Sequence, residues 1–196
     1  MLQYDVEEWV ETASRHKDYR DELGEEVLRQ DQNLVFSVST PAAREIYNMR
    51  RQVMFVYDKI KSFTRLKVSK KGVLFCELAP EHFVEDLVAK FFAKRFPLFI
   101  IVIASPRGTF ICENTKIYET KERLEQVLTR LEEVLPENPL LKDFNIFEQD
   151  LWETFYYSQY IKERKNKRYF LRGVPKRFQD VKDVTPIEQE QQRLTV

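Results

Sequence analysis

Between Lys162 and Arg177 the chain places eight cations in sixteen residues, with one acid, Glu163, among them. The chain as a whole is neutral, with 32 Lys and Arg against 32 Asp and Glu. Cations gathered this tightly in a neutral protein point to an anionic partner, and nucleic acid is the commonest large one. A helix ending near Lys165 would favour Lys162, Arg164 and Lys165 through its dipole alone, by about 0.3–1 kcal/mol each. Lys167, Arg168, Arg172, Lys176 and Arg177 fall beyond that last turn, and the dipole does not account for them. Each phosphate they met would steepen the log–log salt dependence of binding by roughly one unit. The adjacent Tyr169 and Phe170 add a stacking surface worth about 1–3 kcal/mol per base. In extended backbone such neighbours face opposite ways, so at most one stacks while the other packs inward. Contact with an acidic protein, or a plain solvated surface, are the competing readings of the same segment.

Glu163 and Asn166 sit among these cations. Glu163 reads as an internal partner that holds the arginines in place, since surrounding positive charge lowers a carboxylate's pKa and suits it poorly to acid catalysis. His82, after Pro80-Glu81, reads as a structural hydrogen-bonder in the first turn of a helix, where the dipole disfavours its charged form. Arg65, and Arg95 and Arg107 on either side of an apolar strand, are candidates to extend a basic surface. Opposite ends of a strand of that length are roughly 20–25 Å apart, so Arg95 and Arg107 cannot share a tight pocket. Two histidines and two cysteines, Cys76 and Cys112, predict neither a metal site nor a disulfide framework. Both cysteines fall on apolar strands and read as packing residues. No Ser-His-Asp or Cys-His set can be assembled, no glycine-rich phosphate loop is present, and no cofactor is expected. Catalytic residues are therefore unassigned.

The elements that must position these residues are legible in the pattern. The 196 residues, 43% hydrophobic with 15 Phe and 9 Tyr, suffice for a sizeable core. No apolar run reaches about eighteen residues and no secretion signal opens the chain, so a cytoplasmic, non-membrane protein is expected. Charge is blocked: residues 1–40 are net −6, 41–112 net +7, 113–153 net −6, 154–182 net +7 and 183–196 net −2. A fold that brings the two basic blocks to one face would create a local field that the net charge hides.

Residues 5–30 predict helix, broken near Gly24. The alternation from Asn33 to Ser39 predicts a strand. Thr40-Pro41 is a cap followed by a first-turn proline, opening a helix to about Ile60. Phe63–Ser69 and Val73–Leu78 predict a hairpin around Gly72. Pro80 predicts the start of a helix carrying Phe83, Leu87, Phe91 and Phe92. Leu98–Ala104 reads as a central strand, turning at Ser105–Gly108 into Thr109–Glu113. Thr120 predicts the cap of an amphipathic helix, and a last helix spans about Phe144–Lys165. The expectation is one α+β domain over residues 1–165, beginning with a helical segment at 1–32. Its sheet is antiparallel and built from hairpins, with helices packed on it. Residues 166–196 form the basic segment and a polar tail.

Read together, several stretches resemble a prokaryotic family of uncharacterised proteins assigned by name to DNA metabolism and DNA repair. Phe63-Thr64-Arg65-Leu66, Leu78-Ala79-Pro80-Glu81-His82 and Phe92-Ala93-Lys94-Arg95-Phe96-Pro97 carry the likeness in the first half. Arg107-Gly108, Ile161-Lys162-Glu163-Arg164-Lys165-Asn166 and Val174-Pro175-Lys176-Arg177-Phe178 follow in the same order. Lys167 stands where that family has proline, Gly173 where it has histidine and Gln179 where it has tryptophan. Members accompany a uracil-DNA-glycosylase-like domain and a radical S-adenosylmethionine protein, so the resemblance implies DNA as ligand and one of these as partner. The resulting expectation is a DNA-metabolism accessory that binds nucleic acid. The alternatives are an adaptor for such a partner and a DNA-processing enzyme without a recognisable motif.

Overall fold

The computed structural model describes residues 5–69, 71–114, 116–137 and Arg172. The expected helix at 144–165, the polar tail and most of the basic segment lie outside them. The described elements, in chain order, are α1 (Val6–Ser14), α2 (Asp21–Leu28), α3 (Gln32–Phe36), α4 (Pro41–Phe63), β1 (Lys67–Val68), β2 (Val73–Glu77), α5 (Glu85–Arg95), β3 (Ile100–Ser105), β4 (Gly108–Glu113), β5 (Lys116–Thr120) and α6 (Leu124–Val134). The architecture is α+β: five strands in the order β1-β2-β3-β4-β5, mostly antiparallel, with helices against both faces.

β3 is the middle strand, and its continuous apolar run is explained by burial on both sides. Ile101 and Ile103 point with Leu74 and Cys76 of β2 toward α4 and α5. Val102 points with Val73 toward α6, whose Val127 is fully buried against them. This is the two-residue period of a strand with helices above and below. A separate cluster joins α1, α2 and α3 to the first half of α4, through Trp9, Ala13, Val27, Val35, Ile46 and Met49. α4 alone feeds both clusters: Met49 belongs to the first and Val53 to the second. Thr40 caps this helix by accepting a hydrogen bond from the Ala43 N–H at 3.1 Å, with Pro41 at its first position.

Several expectations are corrected. Residues 33–39 are not a strand but the short α3 and its exit. Asp31 caps α3 by accepting from the Asn33 N–H, the Ser37 hydroxyl bonds back to the Asn33 carbonyl, and Val38 closes the turn at φ 53°. The break in the N-terminal helical segment falls at Arg15–Arg20, not at Gly24. Gly24 lies buried inside α2, where a Cβ would meet the Tyr19 ring and Val10, so glycine serves close packing there. β2 and β3 are parallel, because α5 carries the chain back between them; the sheet is not made of hairpins alone. Thr120 ends β5, an edge strand absent from the sequence reading, and α6 begins at Leu124.

Pro80 does not open α5, which starts at Glu85. Arg107 supplies the reason. Its Nη2 donates to the carbonyls of both Pro80 (2.9 Å) and His82 (2.8 Å), fixing residues 80–84 as a loop. In a helix begun at Pro80, those two oxygens would instead accept from N–H groups four residues on.

Candidate functional site

Parallel β2 and β3 end at the same rim of the sheet. β1 and β4, antiparallel to them, begin there, and β5 ends there through its pairing of Thr120 with Thr109. The loops before β1, after β2, between β3 and β4, and after β5 therefore surround one open groove of about 1130 Å³. Arg65, Lys67, Arg107, Lys121 and Arg123 line it, against three acids, Glu77, Glu122 and Glu125. Glu122 is paired with Arg130 at 3.0 Å, and the Lys121 ammonium donates to the Arg107 carbonyl at 2.7 Å. Burial of Arg65 lowers its pKa from the usual arginine value. Guanidinium starts so high that it remains a cation at neutral pH.

The groove brings Arg65 and Arg107 together; Arg95 lies elsewhere. It closes α5 at the other end of β3, its guanidinium over the Phe96 ring at 5.9 Å. Arg172 is helical and exposed. Arg164, Lys167, Arg168, Lys176, Arg177, Glu163 and Asn166 lie outside the described residues. Lys67, Lys121 and Arg123 were missed in sequence. No local pattern marks them, and only the shared rim of the sheet makes them neighbours.

Arg107 is largely spent inward. Besides its two carbonyls it bonds Glu85 at 2.8 Å, and its guanidinium covers the Phe83 ring at 4.7 Å. Glu85 is 2% exposed, so this pair holds a carboxylate that water barely reaches. Gly108, at φ 156°, lets the turn beside it form, since a Cβ there would lie 2.9 Å from the Thr120 carbonyl oxygen. A second link crosses from α1 to α5. Arg15 meets both carboxylate oxygens of Asp86, and its carbonyl accepts the Phe83 N–H.

The loop pinned by Arg107 buries His82 completely, and there it stacks on His16, the ring centroids 4.2 Å apart. The chain's two histidines thus meet, which nothing in the sequence indicated. The Lys17 N–H donates to Nδ1 of His82 and the Asp18 N–H to Nδ1 of His16. Each Nδ1 is therefore bare and each ring proton lies on Nε2. His16 donates that proton to Oε1 of Gln52 at 3.1 Å. Beside them opens a smaller pocket of about 390 Å³, lined by Glu81 and His82 from the loop and by Asn48, Arg51, Gln52, Phe55 and Val56 from α4. Glu81 is paired with Lys17 at 3.0 Å. Asn48, Arg51, Gln52 and Phe55 follow the i, i+3, i+4, i+7 spacing of one helix face, turned to solvent. That spacing is visible in the sequence, on the face opposite the apolar residues of α4.

Cys76 and Cys112 are free and buried. Burial pushes the Cys76 thiol up to about 12, and raises Cys112 as well. Neither is a nucleophile in the folded protein. Among the described residues no group of three or more His, Cys, Asp or Glu is placed to hold a metal ion. Among them, too, no helix is long and apolar enough to cross a membrane.

No curated protein and no solved structure matches the chain. One family model does, over residues 19–181, a span that holds the groove, the buried His82 and the basic segment. The chain belongs to the family described as DUF4130, a domain of unknown function.

Proposed function

We propose that this protein binds nucleic acid as an accessory of DNA metabolism, with the sugar–phosphate backbone lying in the groove at the carboxyl rim of the sheet. The reading rests on one observation: Arg65 and Arg107, far apart in sequence, line that groove together with Lys67, Lys121 and Arg123. Cations outnumber acids there five to three; Arg130 pairs with one of those acids, and Glu85 and Glu119 pair with Arg107 and Lys121. Lys67 and Arg123 are exposed and make no ion pair among the described residues, so they are free to meet phosphate. Arg107 contributes charge and shapes the loop rather than gripping the strand. Arg164, Lys167, Arg168, Arg172, Lys176 and Arg177 extend the contact, as their density in sequence argues. The protein works in the cytoplasm. Its partner is a uracil-DNA-glycosylase-like or radical S-adenosylmethionine protein, as the family resemblance suggests.

Fluorescence anisotropy with labelled DNA over a salt series tests the reading. The logarithm of the affinity should fall linearly with the logarithm of salt, by roughly one unit of slope per phosphate contact. The pair Lys67→Glu and Arg123→Glu should weaken binding about tenfold or more at low salt. The pair Lys176→Glu and Arg177→Glu should abolish it. Unchanged affinity in the first pair removes the groove from the site, and absence of any binding removes the function. Pull-down of the partner with and without nuclease separates DNA contact from an adaptor role. Incubation with uracil-containing and abasic DNA reveals any strand chemistry.

A further inference from the structure

We propose that the smaller pocket, between the outer face of α4 and the Glu81-His82 loop, receives an unpaired nucleobase and selects one that presents a carbonyl oxygen. The inference rests on the nucleic-acid reading above and adds to it a base-reading site distinct from the backbone groove. The pocket's lining suits a base. At its edge Phe55 is 52% exposed, a flat apolar ring where solvent would ordinarily disfavour one; the Lys59 ammonium lies 5.4 Å from its centroid, so a base would stack on the opposite face. Asn48 and Gln52 offer side-chain amides, and Arg51 a guanidinium. Among the described residues Asn48 makes no side-chain bond, and Arg51 none beyond lying 5.7 Å over the Tyr47 ring. A stacking ring, two amides for a base edge and a cation for the flanking phosphate are what single-strand recognition uses. At about 390 Å³ the space lies at the small end of ligand pockets.

The preference follows from the histidine relay. Asp18 presents an N–H, which only a bare Nδ1 of His16 can accept, so His16 carries its proton on Nε2 and donates. Gln52 must accept that proton with Oε1. Its NH₂ group is thereby left for the pocket, as a fixed donor rather than an amide free to flip. A fixed donor pairs with the carbonyl oxygens of thymine, uracil, guanine or cytosine, whereas adenine has no carbonyl and offers it ring nitrogens alone, with an N6 amine beside them. The backbone groove adjoins the same stretch of chain: Leu78 and Ala79 line the groove, and Glu81 and His82 line the pocket. Arg107 lines the groove and holds the His82 carbonyl at 2.8 Å, so one strand can rest its phosphates on one side and turn a base into the other.

The test is anisotropy with single-stranded thymidine and adenosine homopolymers of equal length at one salt concentration, on the whole protein. The thymidine strand should bind roughly threefold to tenfold more tightly, the range of one neutral hydrogen bond. Gln52→Leu should collapse that ratio toward unity, through a larger loss on the thymidine strand than on the adenosine strand. Phe55→Ala should weaken both strands about tenfold or more, and Phe55→Trp should restore them. Circular dichroism on each variant shows that the fold is retained. Equal binding of the two strands by the wild type, or a ratio that survives Gln52→Leu, overturns the base pocket. With salt-dependent binding intact, that result leaves the groove standing. Binding of neither strand overturns both readings.

Discussion

Arg107→Ala should be among the most damaging single changes on the described surface, although the side chain is 30% exposed. Three losses follow. Glu85, 2% exposed, is left as a carboxylate without its cation. The carbonyls of Pro80 and His82 lose a charged donor, and Phe83 loses its cover. Breaking a buried ion pair from one side costs about 3–5 kcal/mol. Partial exposure of the arginine lets water reach the vacated place and reduces that to roughly 2–4 kcal/mol. For a chain of this size the loss corresponds to a fall in Tm of about 4–16 °C. Urea denaturation should report it as a lower midpoint with an unchanged slope. Glu85→Gln alone should cost less, because the amide keeps an oxygen for Arg107 and carries no charge to strand. In the double variant the arginine's removal no longer isolates a charge, so the cycle should show a coupling of about 1–3 kcal/mol. If Arg107→Ala shifts stability by under about 1 kcal/mol, or the two changes simply add, the loop is not held as described.

Gly24→Ala should destabilise by about 1–3 kcal/mol, because a Cβ displaces the Tyr19 ring and crowds Val10; thermal melts check this, and a neutral result would mean that Tyr19 swings aside freely. Cys76 gives a pH dependence. Its folded pKa of about 12 lies above the ordinary thiol value, so the unfolded chain loses the proton first. Stability from this group is complete below about pH 8.5 and declines as pH rises toward 12, by up to about 1.4 kcal/mol per unit. Cys112, also raised, acts in the same direction. Denaturation midpoints between pH 8 and 10 should fall faster for the wild type than for Cys76→Ala, and equal slopes would contradict the burial. A thiol reagent at pH 8 should leave the folded protein unlabelled and react once urea unfolds it.

What sequence disclosed and what it hid divide by range. Thr40-Pro41 and the apolar run of β3 are local signals with local causes, a cap and a doubly buried strand; the cap is where the pattern puts it, and the strand begins at Ile100, two residues after the expected Leu98. Residues 33–39 alternate as a strand would, but a stretch that short satisfies one helical turn equally well, and Asp31 and Ser37 tip it to helix through their side chains. Pro80 has the chemistry of a helix start, yet an arginine twenty-seven residues away claims the carbonyls that helix would need. The parallel pairing of β2 with β3 is likewise set by where α5 packs, not by anything in the strands. The candidate sites follow the same rule. The amide and aromatic stripe of α4 was written in the spacing of Asn48, Arg51, Gln52 and Phe55. That Arg65 lines one groove with Arg107, or that His16 lies on His82, is decided only by tertiary contact.

α4 behaves as an axle common to two wheels. Its 23 residues, about 34 Å long, lean on the helical cluster up to Met49 and on the sheet from Val53 onward. Gln52 stands at the changeover. Neither half of the protein can loosen without letting go of a rod on which the other turns, so melting should propagate rather than stop midway. A molecule seated beside Gln52 would press at the fulcrum, where a small tilt of the helix is felt at both ends.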